Sequence, residues 1–187
     1  MTSLETTLVR LATLLESHGT PYMVIGGFAN LQWGRPRLTQ DLDITVSATG
    51  TALADLLRHL APAFHARVSD PVAFAETTAL VPLESAEGTT VDMAIARLSL
   101  EAEALARATP IDVCGVPIRF ATAEDLILHK IVSERARDAE DIEGIVARQR
   151  GKLDLDYLRP RITSLAQALE RPQMLAEFER LVRGASA

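Results

Sequence analysis

Four apolar residues, Tyr22 to Ile25, are confined between Pro21 and the glycine pair Gly26-Gly27. A run that short and that apolar, closed by a residue lacking a backbone N–H and by two lacking side chains, suits a buried strand better than a helix. Phe28 to Trp33 then has the composition of a short helix ending near Gly34, Arg35 to Gln40 is a polar loop, and Asp41 to Val46 reads as a second strand. Strand and helix alternating over so few residues set the chain in the α/β (α+β) class.

Leu4, Leu8, Leu11 and Leu15 recur at helical spacing before Gly19, a C-terminal stop, so the first segment is expected to be an amphipathic helix. Leu53 to Leu60 repeats the pattern and Pro62 ends it. Phe64 to Val68, Phe74 to Leu83 and Thr89 to Ala96 are expected strands, the last two joined as a hairpin by the turn-like Glu84 to Gly88. Leu98 to Arg107 reads as a helix, and Ile111 to Val113 with Val116 to Phe120 as a small hairpin around Cys114-Gly115. From Thr122 the pattern is wholly helical. Thr122 to Asp125 has the form of a helix start, Ile142, Ile145 and Val146 mark a second helix, Leu155 to Leu169 a third interrupted by Pro160, and Leu175 to Leu181 a last one. With no repeat and no low-complexity linker, residues 1–121 are expected to form the core and 122–187 a helical lobe packed directly on it.

Apolar residues make up 48% of the chain, yet no run approaches the ~20 needed to cross a bilayer. The N-terminus has no charged-then-apolar leader, so the expectation is a cytoplasmic globule with no membrane partner. A net charge of −6 argues against a surface that grips nucleic acid throughout and confines any RNA contact to local patches, such as Arg35 with Arg37. Arg148, Arg150 and Lys152 read as a solvated face. The single cysteine, Cys114, cannot form an internal disulfide and reads as a small apolar residue, and His18, His59, His65 and His129 lack zinc-ligand spacing. No serine–histidine arrangement, P-loop or dinucleotide fingerprint is present, which leaves hydrolase and oxidoreductase chemistry without support.

Asp41 and Asp43 are two apart in an expected strand, so both carboxylates leave one face while Leu42 and Ile44 enter the core. Adjacent negative charges require cations or protons, and hard divalent ions take such oxygen ligands together with those of a triphosphate. Turn chemistry or solubility is the alternative for the pair alone. Gly26-Gly27, at the end of a buried strand, lets backbone N–H groups at the next helix start approach a phosphate closely; a tight strand-to-helix turn is the alternative there. Asp92 stands between Val91 and Met93, opposite in direction to both, and either forms a structural hydrogen bond or joins the first two acids at a metal.

Gly26-Gly27, a spacer with Gly34, Arg35, Arg37 and Thr39, then Asp41-Leu42-Asp43-Ile44 and a later strand with Asp92 together resemble the polymerase-beta-type nucleotidyltransferase superfamily. Within it the combination resembles the AbiEii-like group, which includes toxins of bacterial toxin–antitoxin and phage-abortive systems. The stretch Glu124 to Lys130, followed by Arg137-Asp138 and Asp141, is similar to the helical segment of such proteins. The resemblance covers most of residues 20 to 145. It implies a nucleotidyltransferase fold, with a mixed β-sheet flanked by helices and a C-terminal helical lobe. It also implies Mg²⁺ or Mn²⁺ at Asp41, Asp43 and Asp92, with Asp92 favouring deprotonation of the attacking hydroxyl. A nucleoside triphosphate is then the substrate, held by Gly26, Gly27, Asn30, Arg37, Thr39 and Lys130. Many members carry a serine after the glycine pair, where this chain has Phe28.

The implied activity moves a nucleoside monophosphate to a hydroxyl of RNA or tRNA, protein or a small molecule, in a toxin with a cognate antitoxin as partner or in a drug-modifying enzyme. The competing class is a catalytically silent nucleotide-binding or antitoxin-like interaction protein, for which Phe28 is the sequence argument. Arg135, Asp138 and Asp141, at helical three-residue steps, read as an ion-pair ladder within the helical lobe.

Overall fold

The computed structural model describes residues 2–186, and the chain divides into two compact units, Met1–Phe28 with Leu38–Ala121 and Ala29–Arg37 with Thr122–Ala187. Residues 29–37, placed in the core by sequence, thus count with the helical residues.

The first unit opens with helix α1, Ser3–His18. Thr2 and Glu5 form a reciprocal capping box, Gly19 closes the helix in the left-handed conformation at φ 73°, and Leu8, Leu11 and Leu15 are buried. There follow β1 (Tyr22–Ile25), the start of α2 (Gly26–Trp33), β2 (Leu42–Val46), α3 (Gly50–Leu60), β3 (Phe64–Ala66), α4 (Pro71–Thr78), β4 (Leu80–Ser85), β5 (Thr90–Ile95), α5 (Ser99–Arg107), β6 (Thr109–Val113) and β7 (Val116–Phe120). The strands form one mixed seven-stranded sheet in the order β3-β4-β5-β2-β1-β7-β6. β2 is parallel to β5 and β1 to β7, whereas β1–β2, β3–β4, β4–β5 and β6–β7 are antiparallel.

All four β1 residues are buried, as expected of a strand near the middle of a covered sheet. Met23 and Ile25 pack with Ala104 of α5, Ala108 and Ala121 in one core cluster. The β6–β7 turn is the two-residue Cys114-Gly115, both with positive φ, which matches the natural twist of a hairpin and exposes the cysteine.

One segment departs from the sequence reading. Phe74 to Thr78 is helix and not the beginning of a strand: the Asp70 carboxylate accepts the Ala73 N–H at 3.0 Å, Pro71 stands in the first turn, and Ala79 ends the helix at φ 55°. Strand β4 begins only after that left-handed residue.

The second unit contains the rest of α2 and four further helices, α6 (Ala123–Ile131), α7 (Ala136–Arg148), α8 (Leu155–Ala168) and α9 (Met174–Ser186). The Thr122 hydroxyl caps α6 by accepting the Asp125 N–H, and α8 runs on past Pro160. No helix among the described residues is long and apolar enough to cross a membrane.

Ile44 is 1% exposed at the centre of β2, between β1 and β5. Ile44→Ala is expected to lower unfolding free energy by about 3 kcal/mol, read as a reduced urea midpoint with an unchanged denaturant slope.

Candidate active site

Strand register brings Asp43 and Asp92 of the first unit together. β2 lies between β1 and β5, and Asp43 is the register partner of Ile25 on one side and of Asp92 on the other. Register partners project from the same face of a sheet. Asp43 and Asp92 are therefore neighbours on one face, both half-buried, while Leu42, Ile44, Val91 and Met93 fill the other. Asp41 lies one residue before β2 with the same parity as Asp43 and is exposed.

Because β1 ends at Ile25, opposite Asp43, the next residue arrives against the Asp43 side chain. That residue is Gly26, at φ 64°, and a methyl group built there would overlap the Asp43 carboxylate. The Gly27 N–H donates to Asp43 Oδ2 at 3.4 Å. The glycine pair thus makes room for a carboxylate at the start of α2, where unpaired amides favour an anion. The next side chain, Phe28, stands 6.2 Å from Phe120, centroid to centroid. Thr39, expected on a phosphate, donates its hydroxyl to Asp41 Oδ1 at 3.1 Å.

The donor set of Asp41, Asp43 and Asp92 is oxygen only, the chemistry of a hard divalent cation. Asp43 and Asp92 lie side by side by register, and the absence of a side chain at residue 26 leaves the space the Asp43 carboxylate occupies. Among the described residues no group of three or more His, Cys, Asp or Glu side chains is gathered at metal-binding spacing. The pair is in place, and Asp41 is held by Thr39.

The other three residues nominated by sequence belong to the second unit, and each has protein partners there. Asn30 is 0% exposed and donates to the Arg35 carbonyl at 3.0 Å, so its amide is not offered to a phosphate. Lys130, 4% exposed, places its ammonium 2.9 Å from Asp138 Oδ1 and 2.7 Å from Asp141 Oδ2. Arg37 grips Asp141 with two parallel hydrogen bonds, each of 2.9 Å. The ladder expected from Arg135 is thus built on Lys130 and Arg37, and Arg135 makes no ion pair among the described residues. Burial pushes the Asp141 carboxyl up, but the hydrogen bonds from Arg37 and Lys130 outweigh it and hold it below the usual carboxylate range. Asp138 is likewise held down by Lys130 and Ser133 against its burial.

The C-terminal end of α7 and the next residue, Gln149, also hold the backbone of residues 31–34. Arg148 donates to the carbonyls of Leu31 at 3.1 Å and Gly34 at 2.8 Å, and Gln149 to that of Trp33 at 3.1 Å. A side chain at Gly144 would stand 3.1 Å from the Arg35 nitrogen. Arg148 read as a solvated residue from sequence. The available signal was Gly144, since a glycine inside a helix costs ~1 kcal/mol and needs a packing reason.

A family model described as "Nucleotidyl transferase of unknown function (DUF2204)" matches residues 4–178. An antigenic nucleotidyltransferase-like protein from Paracoccidioides brasiliensis is 20% identical, the match covering 94% of this chain and 92% of that one at a TM-score of 0.55. ANT(2")-Ia in complex with adenylyl-2"-tobramycin is 18% identical, covering 96% and 98% at a TM-score of 0.55. The lincosamide antibiotic adenylyltransferase LnuA, lincomycin-bound, is 16% identical, covering 78% and 96% at a TM-score of 0.53. At these identities the likeness is one of fold. No curated protein matches the chain.

Gly26→Ala is expected to cost about 1–3 kcal/mol through left-handed strain and displacement of Asp43, measured as a lower urea midpoint. Asp141→Asn leaves Lys130 and Arg37 short of a counter-charge and is expected to cost about 3 kcal/mol at neutral pH. Since the folded pKa values of Asp138 and Asp141 are depressed, their contribution is complete above the ordinary carboxylate pKa of about 4 and is lost as pH falls through the lower folded values. Urea midpoints of wild type should therefore hold from pH 7 to 5 and drop below about 4, with a shallower acid limb for Asp141→Asn.

Proposed function

The chain belongs to the nucleotidyl transferase family DUF2204, and on that premise we propose that it moves a nucleoside monophosphate from a nucleoside triphosphate to an acceptor hydroxyl, with Asp41, Asp43 and Asp92 as the reacting carboxylates. The observation that carries this reading is the parallel β2–β5 pairing that sets Asp43 beside Asp92.

In this reading Asp41, Asp43 and Asp92 would hold Mg²⁺ or Mn²⁺, which would supply positive charge to the triphosphate oxygens and acidify the acceptor hydroxyl. The acceptor oxygen bonds to the α-phosphorus as the bond to the oxygen bridging to the β-phosphate breaks, and pyrophosphate leaves. Asp92 takes the hydroxyl proton, the general-base role. The amides at the start of α2 receive phosphate oxygens, and the 3.4 Å bond from Gly27 to Asp43 is long enough to be exchanged for one. Thr39 orients Asp41.

The acceptor is RNA such as tRNA, a protein or a small hydroxylated molecule. The acidic net charge favours the small molecule over a long RNA. Fold likeness to two antibiotic adenylyltransferases puts hydroxylated antibiotics in the test panel. The AbiEii-like resemblance extends the proposal to a cytoplasmic toxin with a cognate antitoxin. A second reading, a silent nucleotide-binding or antitoxin-like protein, draws on Phe28, which gives the position after the glycine pair to a ring facing Phe120 where a hydroxyl serves many relatives.

Each of the four α-labelled nucleoside triphosphates, with Mg²⁺ or Mn²⁺ and total RNA, protein lysate or hydroxylated antibiotics, tests this. Wild type is expected to transfer label, and Asp43→Asn and Asp92→Asn to lose on the order of 10²-fold or more while remaining folded. Nucleotide binding without transfer to any acceptor would favour the silent reading.

A further inference from the structure

Asp141 has no place in the chemistry above, yet it is 4% exposed and receives three charge-assisted hydrogen bonds, two from Arg37 and one from Lys130. A buried carboxylate satisfied this fully is a fixed point, because losing either cation leaves charge without compensation in a poorly solvated site. Lys130 also pairs with Asp138, so the fixed point is tied to the last turn of α6 and the first turns of α7. Arg37 is the residue through which it reaches the connector between α2 and β2. The same connector is held upstream by Arg148 and packed at Arg35 against Gly144. Only Leu38, Thr39 and Gln40 separate Arg37 from Asp41.

We propose that Asp141 is a positioning residue for nucleotidyl transfer: through the bidentate grip on Arg37 it fixes the short run of chain that delivers Asp41, and Lys130 serves Asp141 and not a phosphate. This rests on Asp41 being a reacting carboxylate. The geometry of the grip matters more than the charge of Arg37, since a planar guanidinium holds a carboxylate at two points and sets a direction that an ammonium does not. Small displacements of a reacting group are costly to rate, whereas triphosphate affinity is shared among many contacts.

The test uses full-length wild type, Asp141→Asn, Arg37→Gln and the double variant. Arg37→Gln leaves both Lys130 ion pairs in place and serves even where Asp141→Asn fails to fold. Hydrogen exchange by mass spectrometry is read on peptides covering 38–46 and, as control, 155–168. Both variants are expected to speed exchange in 38–46 by about tenfold, with the control unchanged. Their kcat is expected to fall roughly ten- to hundredfold at unchanged KM for the triphosphate, and the double variant to be no worse than the poorer single one. Unchanged exchange in 38–46 overturns the proposal, as does loosening that spreads equally to 155–168. A raised KM with kcat retained overturns it too, because Arg37 would then be a triphosphate ligand. Wild type that transfers no nucleotide sinks the enzymatic reading, and the exchange data then decide the tether alone.

Discussion

Asp43 and Asp92 occupy matched positions on adjacent parallel strands, and two carboxylates so placed repel one another unless something positive shares their space. Much of the local structure answers that repulsion. The chain turns out of β1 through a residue with no side chain, which lets the Asp43 carboxylate lie against the start of α2, where backbone N–H groups supply partial positive charge. An all-apolar pair at these positions would strengthen the sheet. Keeping two acids there is a cost that the proposed divalent cation and triphosphate would offset, and that is the physical content of reading the pair as functional.

The second unit handles charge in the opposite way. Lys130, Arg37, Asp138 and Asp141 satisfy one another, two cations against two anions, with burial opposing ionisation and hydrogen bonds overcoming it. One pair of acids is set side by side by strand register, and the other is neutralised by its own two cations. Sequence does not separate the two cases, because an aspartate two residues from another on a strand and an aspartate three residues from another on a helix look equally exposed to solvent chemistry until the cations are located.

Legibility followed the range of the interactions involved. β1, β2 and the Cys114-Gly115 turn were readable because their causes are local: a four-residue apolar run, strict alternation, and residues that accept positive φ. α4 was missed because Phe74, Thr77 and Thr78 suit a strand as readily as a helix, and the signals that divide helix from strand, Asp70 before Pro71 and the left-handed Ala79, are weak at the sequence level. The adjacency of Asp43 and Asp92 rests on a parallel pairing between distant segments, which periodicity does not encode; the order of the motif suggested it, and the register supplies it. Residues 29–37 group with the helical unit, where Arg148 and Gln149 hold their backbone carbonyls and Gly144 lies against Arg35; of these long-range contacts only the glycine inside a helix leaves a trace in the sequence.

The sheet order carries a consequence for assembly. At its flanks, β4–β5 and β6–β7 are hairpins whose strands are neighbours in sequence, but the middle is closed by β2 with β5 and β1 with β7, pairings between remote parts of the chain. Closing long loops is entropically slow, so the hairpins are the early products of folding and the central pairings the late ones. The carboxylate pair exists only once β2 has docked on β5. A chain whose hairpins have formed but whose β2 has not docked on β5 therefore holds no assembled acid pair.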